Sequence, residues 1–144
     1  MSASAFTFDH VHLVSADPHA AAAWYEEHFG AEITADTMAR GAPQIFLSLG
    51  GAVLLIRGER PGETPKPAPG FQDRGDFSSH NRWGVDHFGF LYEGDLAAFC
   101  TKLEADGVQL SVPLKSGVGG LKLCFVEGPD GVNIELMQRC SSLS

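Results

Sequence analysis

The sequence is poor in basic residues. It contains 10 Lys and Arg residues against 18 Asp and Glu residues, which gives a formal net charge of −8. A chain with this charge repels the phosphates of nucleic acids and of anionic lipid surfaces. We therefore expect a small-molecule substrate as its partner, and neither nucleic acid nor membrane.

Cysteine and long apolar runs are also scarce. The three cysteines, Cys100, Cys124 and Cys140, are widely spaced and form no C-x-x-C pair, so they are expected to be reduced thiols. The segment MSASAFTF at 1–8 lacks the basic and apolar regions of a signal peptide, and no stretch approaches the roughly 18 apolar residues of a membrane span. These absences predict a cytoplasmic protein.

The length and composition of the chain suffice for a folded domain. The chain has 144 residues, of which 44% are hydrophobic and 19% charged, as in ordinary globular proteins. This length buries a substantial core without disulfide bonds. We predict a single domain over residues 1–144.

The chain contains an internal repeat. FDHVHLV at 8–14 and VDHFGFL at 85–91 are each followed by a helix-like segment and a glycine. His10 and His87 are 77 positions apart (87 − 10), so the first strand of each half aligns. Gly30 and Gly107 are also 77 positions apart (107 − 30), so the helix and its end align without a gap. GAVLLIR at 51–57 aligns with GVNIELM at 131–137 at an offset of 80 (131 − 51), which indicates three inserted residues.

Each half contains one predicted helix. Asp17 and Pro18 supply an N-cap and a preorganised first helical residue, and Gly30 suits the left-handed position after a helix that runs from Pro18 to Phe29. The second helix is predicted from about Asp95 to Asp106, ending at Gly107. Its apolar residues recur at i, i+3, i+4 and i+7, a stripe that a sheet must cover: Leu96, Phe99, Cys100 and Leu103.

Three strand candidates follow each helix. They are 31–36, 44–49 and 52–57 in the first half, and 108–112, 121–126 and 132–138 in the second. The unit is therefore β-α-β-β-β, twice, which predicts an α+β fold. We expect two βαβββ modules, about 6–58 and 84–139, to form a curved, partly open mixed β-sheet cup with the helices outside. The long proline-rich loop at 59–83 that joins them is either a lid or a passive linker.

Strand alternation predicts which side chains face away from the helices. Side chains in a strand alternate between the two faces, so Val11 and Leu13 should face the helix and His10 the opposite side. The same reasoning applied to the second half turns Phe88 and Phe90 toward the helix and leaves His87 opposite. In the last strand, Ile134 and Leu136 pack on the helices and Glu135 does not. Repeat symmetry then brings His10, His87 and Glu135 onto one concave surface.

These three side chains predict a metal site. An unpaired carboxylate on a sheet face costs several kcal/mol to desolvate, so Glu135 needs a cation. Two imidazoles and one carboxylate form a facial triad with open coordination positions, and this ligand set suits Fe, Mn, Zn, Ni or Co ions. We predict that His10, His87 and Glu135 bind one divalent metal ion of unspecified identity.

At these residues the chain resembles the vicinal oxygen chelate superfamily, which includes glyoxalase I, bleomycin-resistance and fosfomycin-resistance proteins, methylmalonyl-CoA epimerase and extradiol dioxygenases. The resemblance covers about residues 6–139 and is carried by FDHVHLVSADPHAAAAWYEEHFG, VDHFGF and GPDGVNIELMQ. It implies that the first and last strands of the modules supply metal ligands, a pattern that His10, His87 and Glu135 match. The fourth position of that pattern is Leu55.

Leu55 narrows the reactions that the resemblance implies. Glyoxalase I and the epimerase are expected to have a ligand or catalytic carboxylate there, and a leucine can neither bind metal nor move a proton. Fosfomycin thiol transferases and extradiol dioxygenases use a His, His, Glu set. However, a basic phosphonate pocket is hard to find in a chain with 10 basic residues, and extradiol dioxygenases are usually larger. They also carry further His and Tyr side chains, for which His12, His80 and Tyr92 are candidates.

The resulting hypothesis is a metal-dependent lyase, isomerase, transferase or ring-cleaving dioxygenase acting on a small substrate with vicinal oxygens. The metal would act as a Lewis acid that stabilises an enolate-like or oxyanionic intermediate. His12 is the candidate for proton transfer, or else a packing residue. Leu55, Met137 and Trp83 are expected to line the substrate pocket, although Trp83 and Phe77 could equally form a hydrophobic plug.

Two alternatives remain at the level of the sequence. One is a non-catalytic bleomycin-resistance-like protein that binds a small molecule without metal, and the other is an oxygenase rather than an isomerase, lyase or transferase. Small members of the superfamily are often dimers, so we expect a homodimer. The triad would then be built either within one chain or across two.

Overall fold

The computed structural model describes residues 4–71, 73–74, 77–78, 80 and 82–139. Its contacts divide the chain into two compact units, Met1–Lys66 and Pro67–Ser144. Each unit contains one of the two predicted modules. None of the described helices is long and apolar enough to cross a membrane.

The first unit contains one helix and four strands. The elements are β1 (His10–Val14), α1 (Pro18–Phe29), β2 (Glu32–Ala39), β3 (Ala42–Leu49) and β4 (Ala52–Arg57). The strand order in the sheet is β1-β4-β3-β2, with β1 parallel to β4 and the other pairs antiparallel.

Helix α1 has the bounds that its capping residues predict. The carboxylate of Asp17 accepts a hydrogen bond from the backbone N–H of Ala20 at 3.2 Å, which satisfies one N–H at the helix start. Gly30 has φ 71°, the left-handed conformation that lets its N–H reach the carbonyls of the last turn.

The second unit repeats this plan after a short hairpin. The elements are β5 (Asp73–Arg74), β6 (Phe77–Ser78), β7 (Phe88–Leu91), α2 (Leu96–Ala105), β8 (Leu110–Ser116), β9 (Lys122–Glu127) and β10 (Asn133–Gln138). The larger sheet has the order β7-β10-β9-β8, and β7 is parallel to β10. The hairpin of β5 and β6 lies in the segment predicted as a loop. That prediction was wrong for these four residues. A ladder of two residue pairs needs only backbone hydrogen bonds, so the sequence shows no apolar periodicity from which the strands could be predicted.

The two modules have the same strand register. His12 lies opposite Leu55 in the first sheet, and Gly89 lies opposite Glu135 in the second. These pairs are related by the offsets of 77 and 80 that the sequence repeat indicates (89 − 12 and 135 − 55). The α+β class and the two βαβββ modules are therefore confirmed.

One face of each sheet is buried against its helix. In the first unit the fully buried sheet residues are Ile45, Leu47, Leu54 and Ile56. In the second, the buried apolar residues of this face are Cys124, Val126, Ile134 and Leu136, which α2 covers with Leu96, Cys100 and Leu103. The predicted faces of β1, β7 and β10 agree with this arrangement.

Three local features refine the sequence predictions. His87 lies just before β7 rather than within it, so hydrogen bonds and not strand alternation fix its ring. Asp130 has φ 61° in a 3-10 turn, a left-handed conformation that aspartate tolerates at turns. Cys100 and Cys124 are buried free thiols, as expected, and Cys140 lies outside the described residues.

Candidate metal centre

His87 and Glu135 converge in the second unit. The Nε2 atom of His87 lies 3.2 Å from the Oε2 atom of Glu135. Their side chains are 31% and 18% exposed, so the pair is partly shielded but open to solvent on one side. An imidazole nitrogen and a carboxylate oxygen that face one another are two suitable ligands for a divalent ion.

The backbone at Gly89 makes room for the Glu135 side chain. Gly89 is the residue of β7 directly opposite Glu135. A Cβ atom at Gly89 would lie 3.1 Å from the Glu135 carbonyl oxygen and 3.2 Å from its Cβ. A larger residue would therefore displace the strand or the carboxylate.

The ring of His87 is held on its other side as well. Its Nδ1 atom lies 2.8 Å from Oδ2 of Asp86. The ring of Phe125 meets it edge to face, with centroids 4.8 Å apart. These contacts leave Nε2 as the nitrogen that points to Glu135.

The surface beside the pair is apolar. Val112, Leu123 and Phe125 are buried on the sheet face that carries Glu135, and Leu121 and Met137 pack against them. Met137, a predicted pocket residue, is thus two positions from Glu135 on the same face of β10. This apolar environment makes a lone carboxylate costly and favours a cationic partner.

His10 and His12 lie in the first unit, on the exposed face of β1. The Nδ1 atom of His10 lies 2.6 Å from Oδ2 of Asp9. The two imidazole rings are 6.1 Å apart at an interplanar angle of 62°. Leu55 lies opposite His12 and is 8% exposed, so an apolar side chain occupies the position where the second unit has Glu135.

His12 is in a cationic environment. Partial burial lowers the pKa of His12 below its ordinary value, and the nearby Arg57, His10 and Arg60 lower it further. Arg57 itself is paired with Glu63, with Nη1 and Oε1 2.7 Å apart. The neutral form of His12, which accepts a proton, is therefore favoured at neutral pH.

The structure brings together two of the three predicted metal ligands. His87 and Glu135 are in contact, while His10 belongs to the other unit. Among the described residues, neither unit by itself gathers three His, Cys, Asp or Glu side chains into a metal-binding group. The complete set of His10, His87 and Glu135 stays a prediction.

The remaining predicted site residues lie in varied surroundings. Trp83 is fully exposed, and its place in a substrate pocket stays a prediction. The ring of His80 lies 5.8 Å from that of Phe71. Tyr92 stacks on Phe99 of α2, with ring centroids 4.6 Å apart. Phe77 belongs to β6, and its side chain lies outside the described part of the structure.

The sequence reasoning missed two residues beside the pair of His87 and Glu135, Asp86 and Gly89, and one residue beside His10 in the first unit, Asp9. The signal for the two aspartates was present, because an Asp-His dipeptide opens the first strand segment of both repeats. Gly89 could have been noticed as the only glycine inside either first strand. Its role, however, depends on which residue lies opposite, and pairing register is a tertiary property.

Comparisons with known proteins agree with the repeated architecture. The family model described as Glyoxalase/Bleomycin resistance protein/Dioxygenase superfamily matches residues 7–136. No curated protein sequence matches the chain significantly.

Solved structures share the fold at low sequence identity. A glyoxalase/bleomycin resistance protein/dioxygenase domain from Frankia sp. EAN1pec is 20% identical, with a TM-score of 0.73 and 96% of each chain covered. A glyoxalase family protein from Enterococcus faecalis is 22% identical, with a TM-score of 0.68, covering 91% of this chain and 96% of the other. A mutant of the fosfomycin resistance protein FosX from Listeria monocytogenes, complexed with Mn(II) and 1S,2S-dihydroxypropylphosphonic acid, is 18% identical, with a TM-score of 0.63 and 90% of each chain covered.

Proposed function

Because the chain belongs to the glyoxalase/bleomycin resistance protein/dioxygenase superfamily, we propose that it is a divalent-metal-dependent enzyme acting on a small substrate with two neighbouring oxygens. The reaction would be that of a lyase, isomerase, transferase or ring-cleaving dioxygenase. The contact between His87 and Glu135 is the observation that carries this proposal.

The donor chemistry of the described residues fits a divalent ion. Glu135 presents a carboxylate on an apolar sheet face, and His87 presents the nitrogen that Asp86 leaves free. His10, whose Nδ1 contacts Asp9, would use its Nε2 as the third ligand. The bound ion would supply Lewis-acid polarisation of the substrate oxygens.

The other residues of the proposal have distinct tasks. Met137 and Leu55 would offer apolar contacts to the substrate, with Trp83 as a further pocket residue. His12 would move a proton at its imidazole, since partial burial and then its cationic neighbours lower its pKa and favour the neutral ring. The FosX complex with Mn(II) and a vicinal diol supports this class of substrate for a protein of the same fold.

Metal binding is the first test. Purified protein supplied with Mn(II), Fe(II), Zn(II), Ni(II) or Co(II) is expected to bind one ion per chain, measured by titration calorimetry and elemental analysis. His87→Ala and Glu135→Ala should each abolish this binding and largely retain the circular dichroism spectrum. His19→Ala is the matched control, because His19 pairs with Asp36 and is not one of the predicted ligands.

The outcome also separates the enzyme from a metal-free binding protein. Substoichiometric binding of every ion would contradict the enzyme and leave the small-molecule binder. Where metal binds, His12→Ala should lower kcat on an active substrate without changing the metal content. A loss of metal in that variant would instead make His12 a ligand.

Oxygen consumption distinguishes the possible reactions. A ring-cleaving dioxygenase requires Fe(II) and consumes O₂ on catechols, whereas activity with Zn(II) or Ni(II) in the absence of O₂ indicates a lyase, isomerase or transferase. The screen should contain diols, 2-oxoaldehyde adducts and thiol conjugates.

We further propose a homodimer in solution, to be measured by light scattering. If the ligand set is shared between chains, mixing inactive His10→Ala and Glu135→Ala proteins restores part of the metal binding. If one chain builds the whole set, mixing restores none.

A further inference from the structure

The ring of His87 is fixed by more than its contact with Glu135. Asp86 holds the Nδ1 atom at 2.8 Å through Oδ2. The other carboxylate oxygen, Oδ1, accepts a hydrogen bond from the backbone N–H of His80 at 3.2 Å. Because both oxygens are engaged, the carboxylate cannot rotate away from the imidazole without breaking a second bond.

This arrangement determines which nitrogen carries the proton. A neutral imidazole has one N–H and one lone pair, and a carboxylate on one nitrogen favours the proton there. The distance from Nδ1 to Asp86 is shorter than the 3.2 Å from Nε2 to Glu135. The lone pair is then left on Nε2, on the side of Glu135.

We infer that Asp86 is a positioning residue that selects the Nδ1–H tautomer of His87 and thereby prepares Nε2 as a ligand. The metal part of this inference rests on the proposed function, and the tautomer part does not. Carboxylates that hold the second nitrogen of a histidine ligand orient the ring and raise its basicity.

Asp9 has the same relation to His10 but is held less firmly. Its side chain is 89% exposed, against 32% for Asp86. Water competes for an exposed carboxylate, so the hydrogen bond to His10 contributes less. We therefore expect Asp86 to orient His87 more strongly than Asp9 orients His10.

The tautomer can be measured without any metal. Long-range ¹⁵N–¹H correlation spectra of the metal-free protein, recorded at a pH where histidine is neutral, should show His87 mainly as the Nδ1–H form. Asp86→Ala should shift it toward Nε2–H, since the carboxylate of Glu135 stays in contact with Nε2. A wild-type ring in the Nε2–H form, or no shift in Asp86→Ala, would overturn the inference.

Metal affinity gives a second test of the role of Asp86. Asp86→Ala should weaken Zn(II) binding by about 10- to 100-fold, and Asp9→Ala by less. Asp36→Ala is the matched control, because Asp36 contacts the exposed His19 at 3.0 Å in the same kind of pair. Equal affinity in Asp86→Ala and wild type would refute the inference and leave the proposed metal site intact. If the wild type binds no metal, the proposed function fails while the spectra still decide the role of Asp86.

Discussion

At the scale of single residues, the modules differ where the first and last strands face each other. The first module has His12 opposite Leu55, and the second has Gly89 opposite Glu135. A small residue faces the carboxylate in one, and an imidazole faces an apolar side chain in the other. The same backbone frame therefore offers a candidate ligand in one half and a candidate for proton transfer in the other.

Gly89→Ala tests whether the space at β7 matters for Glu135. The added methyl would lie 3.1 to 3.2 Å from backbone and Cβ atoms of Glu135, so we expect metal affinity to fall at least about tenfold. The free energy of unfolding should fall by no more than about 1–3 kcal/mol. Titration calorimetry and urea denaturation measure the two effects.

Gly70→Ala is the control for this substitution. A Cβ at Gly70 meets no atom within 4 Å, and its φ is not positive. Both the affinity and the stability should stay at the wild-type value there. Unchanged metal affinity in Gly89→Ala would mean that the strand adjusts without moving the carboxylate.

The pair of Arg57 and Glu63 predicts a pH dependence of stability. The backbone N–H of Arg60 and then the side chain of Arg57 donate to Glu63 and lower its pKa below the ordinary glutamate value. A carboxylate with a lowered pKa in the folded state stabilises the protein above its unfolded pKa. This contribution is lost as the pH falls through the folded pKa.

Glu63→Gln should therefore lower the denaturation midpoint at neutral pH and lose this effect in acid. Denaturation curves of both proteins, measured from pH 7 downward, should converge below the folded pKa of Glu63. A difference that stays constant over this range would show that the ionised form of Glu63 is not what stabilises the segment.

At the scale of secondary structure elements, helix ends are set by short-range chemistry. Asp17 and Asp95 each accept a hydrogen bond from the N–H three residues later, at 3.2 and 3.3 Å. Both helices then pack their apolar stripe on a sheet of the same register. Capping and packing together position the strands that carry the candidate ligands.

Asp17→Ala is expected to reduce the free energy of unfolding by about 0.5–2 kcal/mol, since the N–H of Ala20 loses its partner. Asp17→Asn, which keeps an accepting oxygen, should lose much less. Metal stoichiometry should be unchanged in both variants. An alanine variant as stable as the asparagine variant would mean that water replaces the cap.

At the scale of the whole molecule, metal binding should stabilise the folded state. A ligand that binds only the folded chain adds about 2.7 kcal/mol at a concentration 100 times its Kd. We therefore expect a rise in Tm with Mn(II) or Zn(II) in the wild type and none in Glu135→Ala. Calorimetric scans with and without the ion measure this shift, and equal shifts in both proteins would place the bound ion elsewhere.

Much of this architecture could be predicted from the sequence, because its causes are local. The repeat spacing of 77, the Asp-Pro helix start and the alternation along β1 and β10 depend on neighbours along the chain. The loop prediction failed at β5 and β6, where only backbone pairing makes the strands. His87 was assigned to the correct face, yet its orientation comes from Asp86 and Phe125 rather than from strand alternation.

The sequence by itself determined the two βαβββ modules, since capping residues, hydrophobic periodicity and the internal repeat are all local features of the chain. Only the tertiary structure decided the 3.2 Å distance from His87 Nε2 to Glu135, the space that Gly89 leaves for the carboxylate and the contact of Asp86 with His87 Nδ1. The physical reason is that these contacts join residues up to 48 positions apart. Their geometry depends on strand pairing and side-chain packing, which no local pattern specifies.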